Sequence, residues 1–284
     1  MARLVLYFDV FRHPLRVDEL ASLVGTGAEA ALHAAAATGV VVHDGRWVWR
    51  RGRPDDLARR RARAEEAERQ WPRARRAAAF LARLPFVRGV LVTGALSKRS
   101  AAPDGDVDFL LLVAPGRVWT VKAGLHAIRR VLPEAAREAL CTNYLLATDA
   151  LALPQRSMFH AVELATAVPM FGPEACGALL AANPWAAERV PGWAFPTERA
   201  AAAAPLPSPR LQQALEAASP TALEALGARS VQGFWARRYG WLPESERARR
   251  FQAGPSVATN HLHDFSGWVN AEYEARCAAE GVPS

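Results

Sequence analysis

The chain has 284 residues, 51% of them hydrophobic, and carries 35 lysines and arginines against 28 acids for a net charge of +7. That length is enough for about two structural units. The 3 cysteines, Cys141, Cys176 and Cys277, lie too far apart for a disulfide framework or a zinc knuckle, and no apolar run approaches the ~18–20 residues of a membrane span. With no signal-peptide pattern in MARLVLYFDVFRHPL, the expectation is a cytoplasmic protein that does not engage membranes.

Residues 1–50 read as a small helical unit closed by a hairpin. Residues 4–12 form a first helix, Asp18 lies near the start of a second, and Thr26 is placed to N-cap a third that ends at Gly39. Asp44-Gly45 between VVVH and RWVW predicts a tight hairpin with both turn residues at positive φ. Three helices and a hairpin outline a winged-helix-like unit. Its third helix, however, contains no Arg or Lys with which to read bases or hold phosphates, so a structural or partner-docking role is favoured over DNA binding.

Residues 51–84 form a basic connecting segment. Between Arg50 and Arg76 stand 11 arginines and 5 acids, so six of the seven net charges sit there. Leu57, Ala64, Ala67, Trp71, Ala74, Ala78 and Leu81 make one apolar stripe on a long helix, or on two helices broken at Pro72. The arginines fall on the other faces, as a solvated surface or as a contact for a polyanion or a nucleotide phosphate.

From residue 85 to about 195 the pattern alternates. FVRGVLVTG, DVDFLLLVA and LCTNYLLAT read as strands, whereas RVWTVKAGLHAIRRVL and SMFHAVELATAVPMFG read as helices. Such alternation predicts an α/β core, a sheet covered by helices. A Pro/Ala-rich connection runs to about Pro209, and residues 196–284 are expected to be a helical C-terminal region.

The chemistry concentrates in TGALSKRSAAPDGDVDF. Side chains at i and i+2 of a strand share a face, so Asp106 and Asp108 project together while Val107 and Phe109 enter the core. Two carboxylates so close repel unless a cation lies between them, and Mg²⁺ suits one or two carboxylates plus phosphate oxygens. The preceding turn, with Gly94, Ala95, Ser97 and Lys98, is a candidate phosphate cradle.

This order of features resembles the signature of the DNA polymerase β-like nucleotidyltransferase superfamily, over roughly residues 85–165. Gly94 stands at the family glycine, and Asp106 and Asp108 stand at the paired metal ligands. The N-terminal YFDVFRHPL, the Trp71 helix and the CTNYLLATDAL segment extend the likeness to a bacterial subgroup with an N-terminal winged helix. The resemblance implies a mixed α/β nucleotidyltransferase sheet, Mg²⁺ or Mn²⁺ as cofactor, and transfer of a nucleoside monophosphate from a nucleoside triphosphate to a hydroxyl on a small molecule, a protein or an RNA.

Three positions depart from that pattern. Asn143 occupies the third carboxylate position, where an amide can offer an oxygen to a metal but cannot act as a base; Ala95 replaces the usual serine; Lys98 stands where a small residue is common. Asp149 and the i, i+3 pair His160 and Glu163 are candidate substitutes, the pair reading first as a surface or packing pair. The alternative function is a weakened nucleotide sensor or DNA-bound regulator, and a third is an RNA-directed transferase. His261, His263 and Asp264 could gather metal or phosphate, but read more simply as a loop with a helix cap.

Overall fold

The computed structural model of the chain describes residues 1–134, 137, 140–193, 209–260 and 265–284. Among these it is a mixed α/β protein of thirteen helices and two sheets. The N-terminal part contains α1 (Ala2–Val10), β1 (Leu15–Arg16), α2 (Val17–Val24), α3 (Ala28–Ala37), β2 (Val41–His43) and β3 (Trp47–Arg50), with the strands in the antiparallel order β1-β3-β2. Helix α3 is entered from Gly27 in the left-handed conformation, not from Thr26. At the hairpin only Gly45 has positive φ; Asp44 instead accepts the N–H groups of Arg46 and Trp47 at its carboxylate, which fixes the turn without a left-handed Asp.

Helix α4 (Asp56–Leu81) runs unbroken through Pro72. Its second half buries Ala67, Trp71, Ala74, Ala78 and Leu81, as its periodicity predicts. Its first half differs, because Asp56 and Arg60 are buried where a solvated basic face was expected. Both are satisfied by the N-terminal part: Asp56 pairs with Arg12 at 2.8 Å, and Arg60 reaches Glu19 at 2.9 Å and the carbonyl of Pro14 at 3.1 Å.

The large sheet has the order β7-β4-β5-β6-β8, built from β4 (Val87–Val92), β5 (Asp108–Val113), β6 (Cys141–Ala147), β7 (Val168–Phe171) and β8 (Val257–Thr259). Only the β5–β6 pairing is parallel. The crossover between them is α6 (Val118–Val131); α5 (Gly94–Ser97), α7 (Met158–Thr166), α8 (Pro173–Ala181), α9 (Ala186–Arg189), α10 (Pro209–Ala217), α11 (Ala222–Arg238), α12 (Glu244–Arg250) and α13 (Phe265–Ala279) complete the fold. Two strands depart from expectation. VPMF, read as the end of a helix, is an edge strand, where Pro169 costs no interior ladder bond, and β8 arises inside the region expected to be helical.

Alternation along the strands divides the core. Val90, Val92, Phe109, Leu111 and Leu145 pack with Trp71, Leu125 and Trp235 of α4, α6 and α11. Leu91, Leu110, Leu112 and Leu146 pack with α1, α7, α8 and α13, in one apolar cluster that continues into the N-terminal helices. Asp108 shares the second face with Leu110 and Leu112, and this places the acidic end of β5 under α1 and α7. No described helix is long and apolar enough to cross a membrane.

Candidate functional site

The site forms where β4 ends and β5 begins. Val107 and Phe109 are buried in the core, so the alternation turns Asp106 and Asp108 to the other side; Asp106 is exposed and Asp108 half-buried. Thr93 N–H donates to the Asp108 carbonyl at 3.0 Å, which locks the following turn against the start of β5. Gly94 then has φ +66°, and a Cβ there would lie 2.3 Å from Asp108 Oδ2. Glycine is required on both counts, conformation and space.

Burial pushes the Asp108 carboxyl up to about 6, reinforced by the charges of Glu163 and Asp106 and opposed by Lys98. Glu163 is therefore the acid that joins the pair. It projects from α7, accepts the Gly94 N–H at 3.3 Å and pairs with Lys98 at 2.8 Å. The i, i+3 spacing with His160 held this signal, but His160 itself is held by Ser157, 2.8 Å from its Nδ1, at the start of α7. Tyr7 of α1 closes the same region: burial first, then the charge of Glu163, raise its phenol well above the usual range, and its hydroxyl has no partner among the described residues.

The cradle residues meet different fates. Lys98 Nζ, besides Glu163, donates to the Gly94 carbonyl at 2.9 Å. Ser97, expected to reach a phosphate, turns its hydroxyl onto the same carbonyl at 2.9 Å, because a short helical turn offers that acceptor. Ala95 is exposed and contributes its carbonyl to the amides of Lys98 and Ser100.

Asn143 does reach Asp108, and how it does so depends on an irregularity. Asp108 pairs with Cys141 but Leu110 pairs with Tyr144, so β6 carries one more residue than β5 between these rungs. Such a bulge re-aims side chains, and here it brings Cys141 and Asn143 to the acidic side. The Asn143 amide nitrogen lies 3.5 Å from Asp108 Oδ1 and 3.0 Å from Cys141 Sγ. Its orientation follows from a chain of partners. In its charged form buried Lys122 can only donate, to the Thr142 carbonyl at 2.8 Å and to Asn260 Oδ1; Asn260 then donates its Nδ2 to Asn143 Oδ1 at 3.4 Å. That leaves the NH₂ of Asn143 facing Asp108. The residue thus acts as a hydrogen-bond donor at this position, and the oxygen anticipated for a metal is turned away.

Burial lowers Lys122 to about 7, and burial together with Asp108 and Asp106 raises Cys141 to about 12, so the thiol stays protonated. Neither Lys122 nor Asn260 was singled out from sequence. The one signal was a lysine on the otherwise apolar face formed by Val118, Val121 and Leu125. Asp149, by contrast, lies exposed beyond the C-terminal end of β6, at the opposite end of the strands from Asp108, because β5 and β6 run parallel. His261, His263 and Asp264 lie outside the described residues.

Among the described residues no three His, Cys, Asp or Glu side chains are grouped to hold a metal by themselves, and no arginine or lysine is bonded to Asp106 or Asp108. The donor set is thus two carboxylates whose charge is only partly offset by Lys98, itself bonded to Glu163, and it fits a hard divalent ion whose remaining ligands come from water and phosphate, as Mg²⁺ prefers. Comparison with protein-family models finds no match, and comparisons with curated proteins and with solved structures find none either.

Proposed function

We propose that the chain is a Mg²⁺-dependent nucleotidyltransferase of the DNA polymerase β-like kind, with a winged-helix-like N-terminal unit, moving a nucleoside monophosphate from a nucleoside triphosphate to a hydroxyl acceptor. The observation that carries this reading is the acidic end of β5. Asp106 and Asp108 emerge on one side against the Gly94 turn, and Asp108 is held near 6 by burial and neighbouring carboxylates. A protein bears that electrostatic cost where a cation is to be bound.

In this reading Asp106 and Asp108 hold the ion, Asn143 orients Asp108 by its amide N–H, and Lys98 exchanges Glu163 for the triphosphate. The ion, when bound, offsets phosphate charge and polarises the phosphoryl group under attack. Glu163, once released, is the carboxylate available to take the acceptor's proton. Tyr7 and the rest of α1 wall the site from water. The exposed face of α3, with Glu29 and His33 and no cation, supports a covering role for the N-terminal unit over DNA binding.

Calorimetric titration with each nucleoside triphosphate, with and without Mg²⁺, tests the proposal. Wild type is expected to bind at least one in a Mg²⁺-dependent manner, and the Asp106→Asn/Asp108→Asn variant to lose that binding. Equal binding by both proteins, or none by wild type, would sink it. A second reading, a nucleotide sensor, is favoured by the donor orientation of Asn143 and by the tether of Glu163 to Lys98. Tight triphosphate binding without pyrophosphate release selects it.

A further inference from the structure

A second cluster of charge lies on the other side of the Gly94 turn. Between the N-terminal part and α4 a groove of about 420 Å³ is lined by Arg16, Arg46, Arg60, Arg61 and Arg99, with Trp47 at its wall. Arg99 follows Lys98 directly and adopts φ +52°, a conformation a residue with a side chain rarely takes. Its carbonyl accepts Arg60 at 2.9 Å, which ties the turn to α4.

Most of these cations are spoken for. Arg60 is committed to Glu19 and to the carbonyls of Pro14 and Arg99; Arg16 and Arg99 pair with Asp18 at 2.8 and 3.5 Å. Arg46 and Arg61 have no hydrogen bond or ion pair from their guanidinium groups among the described residues, although Glu65 stands one helical turn from Arg61. The Trp47 indole N–H is buried, in a residue only 3% exposed, and also has no partner among the described residues. Trp47 therefore forms the floor of the groove under Arg60, and the groups open to a ligand are the guanidiniums of Arg46 and Arg61. Glu65 and Glu68 add acceptors to the lining, which Ala64 and the Arg60-bound Glu19 complete.

We infer that this groove binds a small phosphorylated sugar, a sugar phosphate or a nucleoside monophosphate. Free guanidinium groups suit the phosphate, the glutamates suit sugar hydroxyls, and the volume is that of a small-molecule site. A nucleic-acid strand fits less well, since strand binding relies on exposed aromatic platforms, and Trp47 is buried with the Arg60 guanidinium 5.4 Å from its ring centre. This inference does not depend on the nucleotide reading of the aspartates.

Calorimetry on the full chain, with ribose 5-phosphate, glucose 1-phosphate and AMP as probes and with ribose, inorganic phosphate and uridine oligomers of increasing length beside them, tests it. At least one phosphorylated sugar is expected to bind and ribose is not. Arg46→Ala/Arg61→Ala, two changes at exposed positions, should weaken binding at least about tenfold, whereas Asp106→Asn/Asp108→Asn should leave it unchanged. The inference is overturned if no phosphorylated sugar binds, if the arginine variant binds like wild type, if only the aspartate variant loses binding, if inorganic phosphate binds as tightly as every sugar phosphate, or if only the oligomers bind, with affinity rising with length.

Discussion

The two sides of the turn from Gly94 to Arg99 handle charge in opposite ways. On the β5 side, Asp106 and Asp108 are bonded to no cation among the described residues, and burial, then the charges of Glu163 and Asp106, raise the Asp108 carboxyl to about 6. On the α4 side the arginines are numerous but largely consumed inside the protein, Arg60 most completely, at 1% exposure. His13 lies between: burial, then Arg60 and Lys98, lower its pKa well below the usual value and keep it neutral. The contrast teaches that the number of charges in a segment says little about binding. What matters is how much charge the fold leaves unpaired.

The arginine side breaks most severely at Arg60. Arg60→Ala strands the carbonyls of Pro14 and Arg99 and leaves Glu19 only the Arg16 N–H and Arg99 at 3.9 Å; loss of one partner of a buried pair costs about 3–5 kcal/mol, and urea unfolding should register a loss of that size. On the acidic side Gly94→Ala forces a side chain into a left-handed position and against Asp108 Oδ2. A loss of about 1–3 kcal/mol is expected, together with loss of Mg²⁺-dependent nucleotide binding in the same titration.

Asp108→Asn sharpens the comparison through pH. In the unfolded chain this carboxyl releases its proton near 3.8 and in the folded chain near 6. Between those values the folded state holds the extra proton, so wild-type stability falls as pH rises through that window and stays lowered above it. The asparagine variant should therefore gain about 3 kcal/mol over wild type near neutral pH without Mg²⁺, and little near about pH 4. Unfolding curves at the two pH values check this. Smallest of all, Arg61→Ala should change stability by no more than about 0.5 kcal/mol, because Arg61 is exposed and makes no ion pair among the described residues. A larger loss would show it to be structural, like Arg60.

Much of this plan was readable from residue order. The strand and helix alternation after residue 85 located β4, β5, α6, β6 and α7, and the second half of α4 followed its Trp71 stripe. Pro169 disguised β7, since proline argues against a strand unless the strand lies at an edge, and edges are set by the sheet order. Glu163 was legible only as a helix-surface pair with His160, and its approach to Lys98 depends on α7 crossing over the turn.

The sequence by itself determined that Asp106 and Asp108 face one way and Val107 and Phe109 the other, because alternation is a property of the extended backbone and needs no distant partner. Only the tertiary structure decided which charges would be neutralised. The bulge that turns Asn143 toward Asp108, the Lys122 and Asn260 contacts that orient its amide, and the burial of Arg60 all join residues far apart in the chain. Electrostatic energy depends on distance and desolvation in space, and neither is written in local residue order.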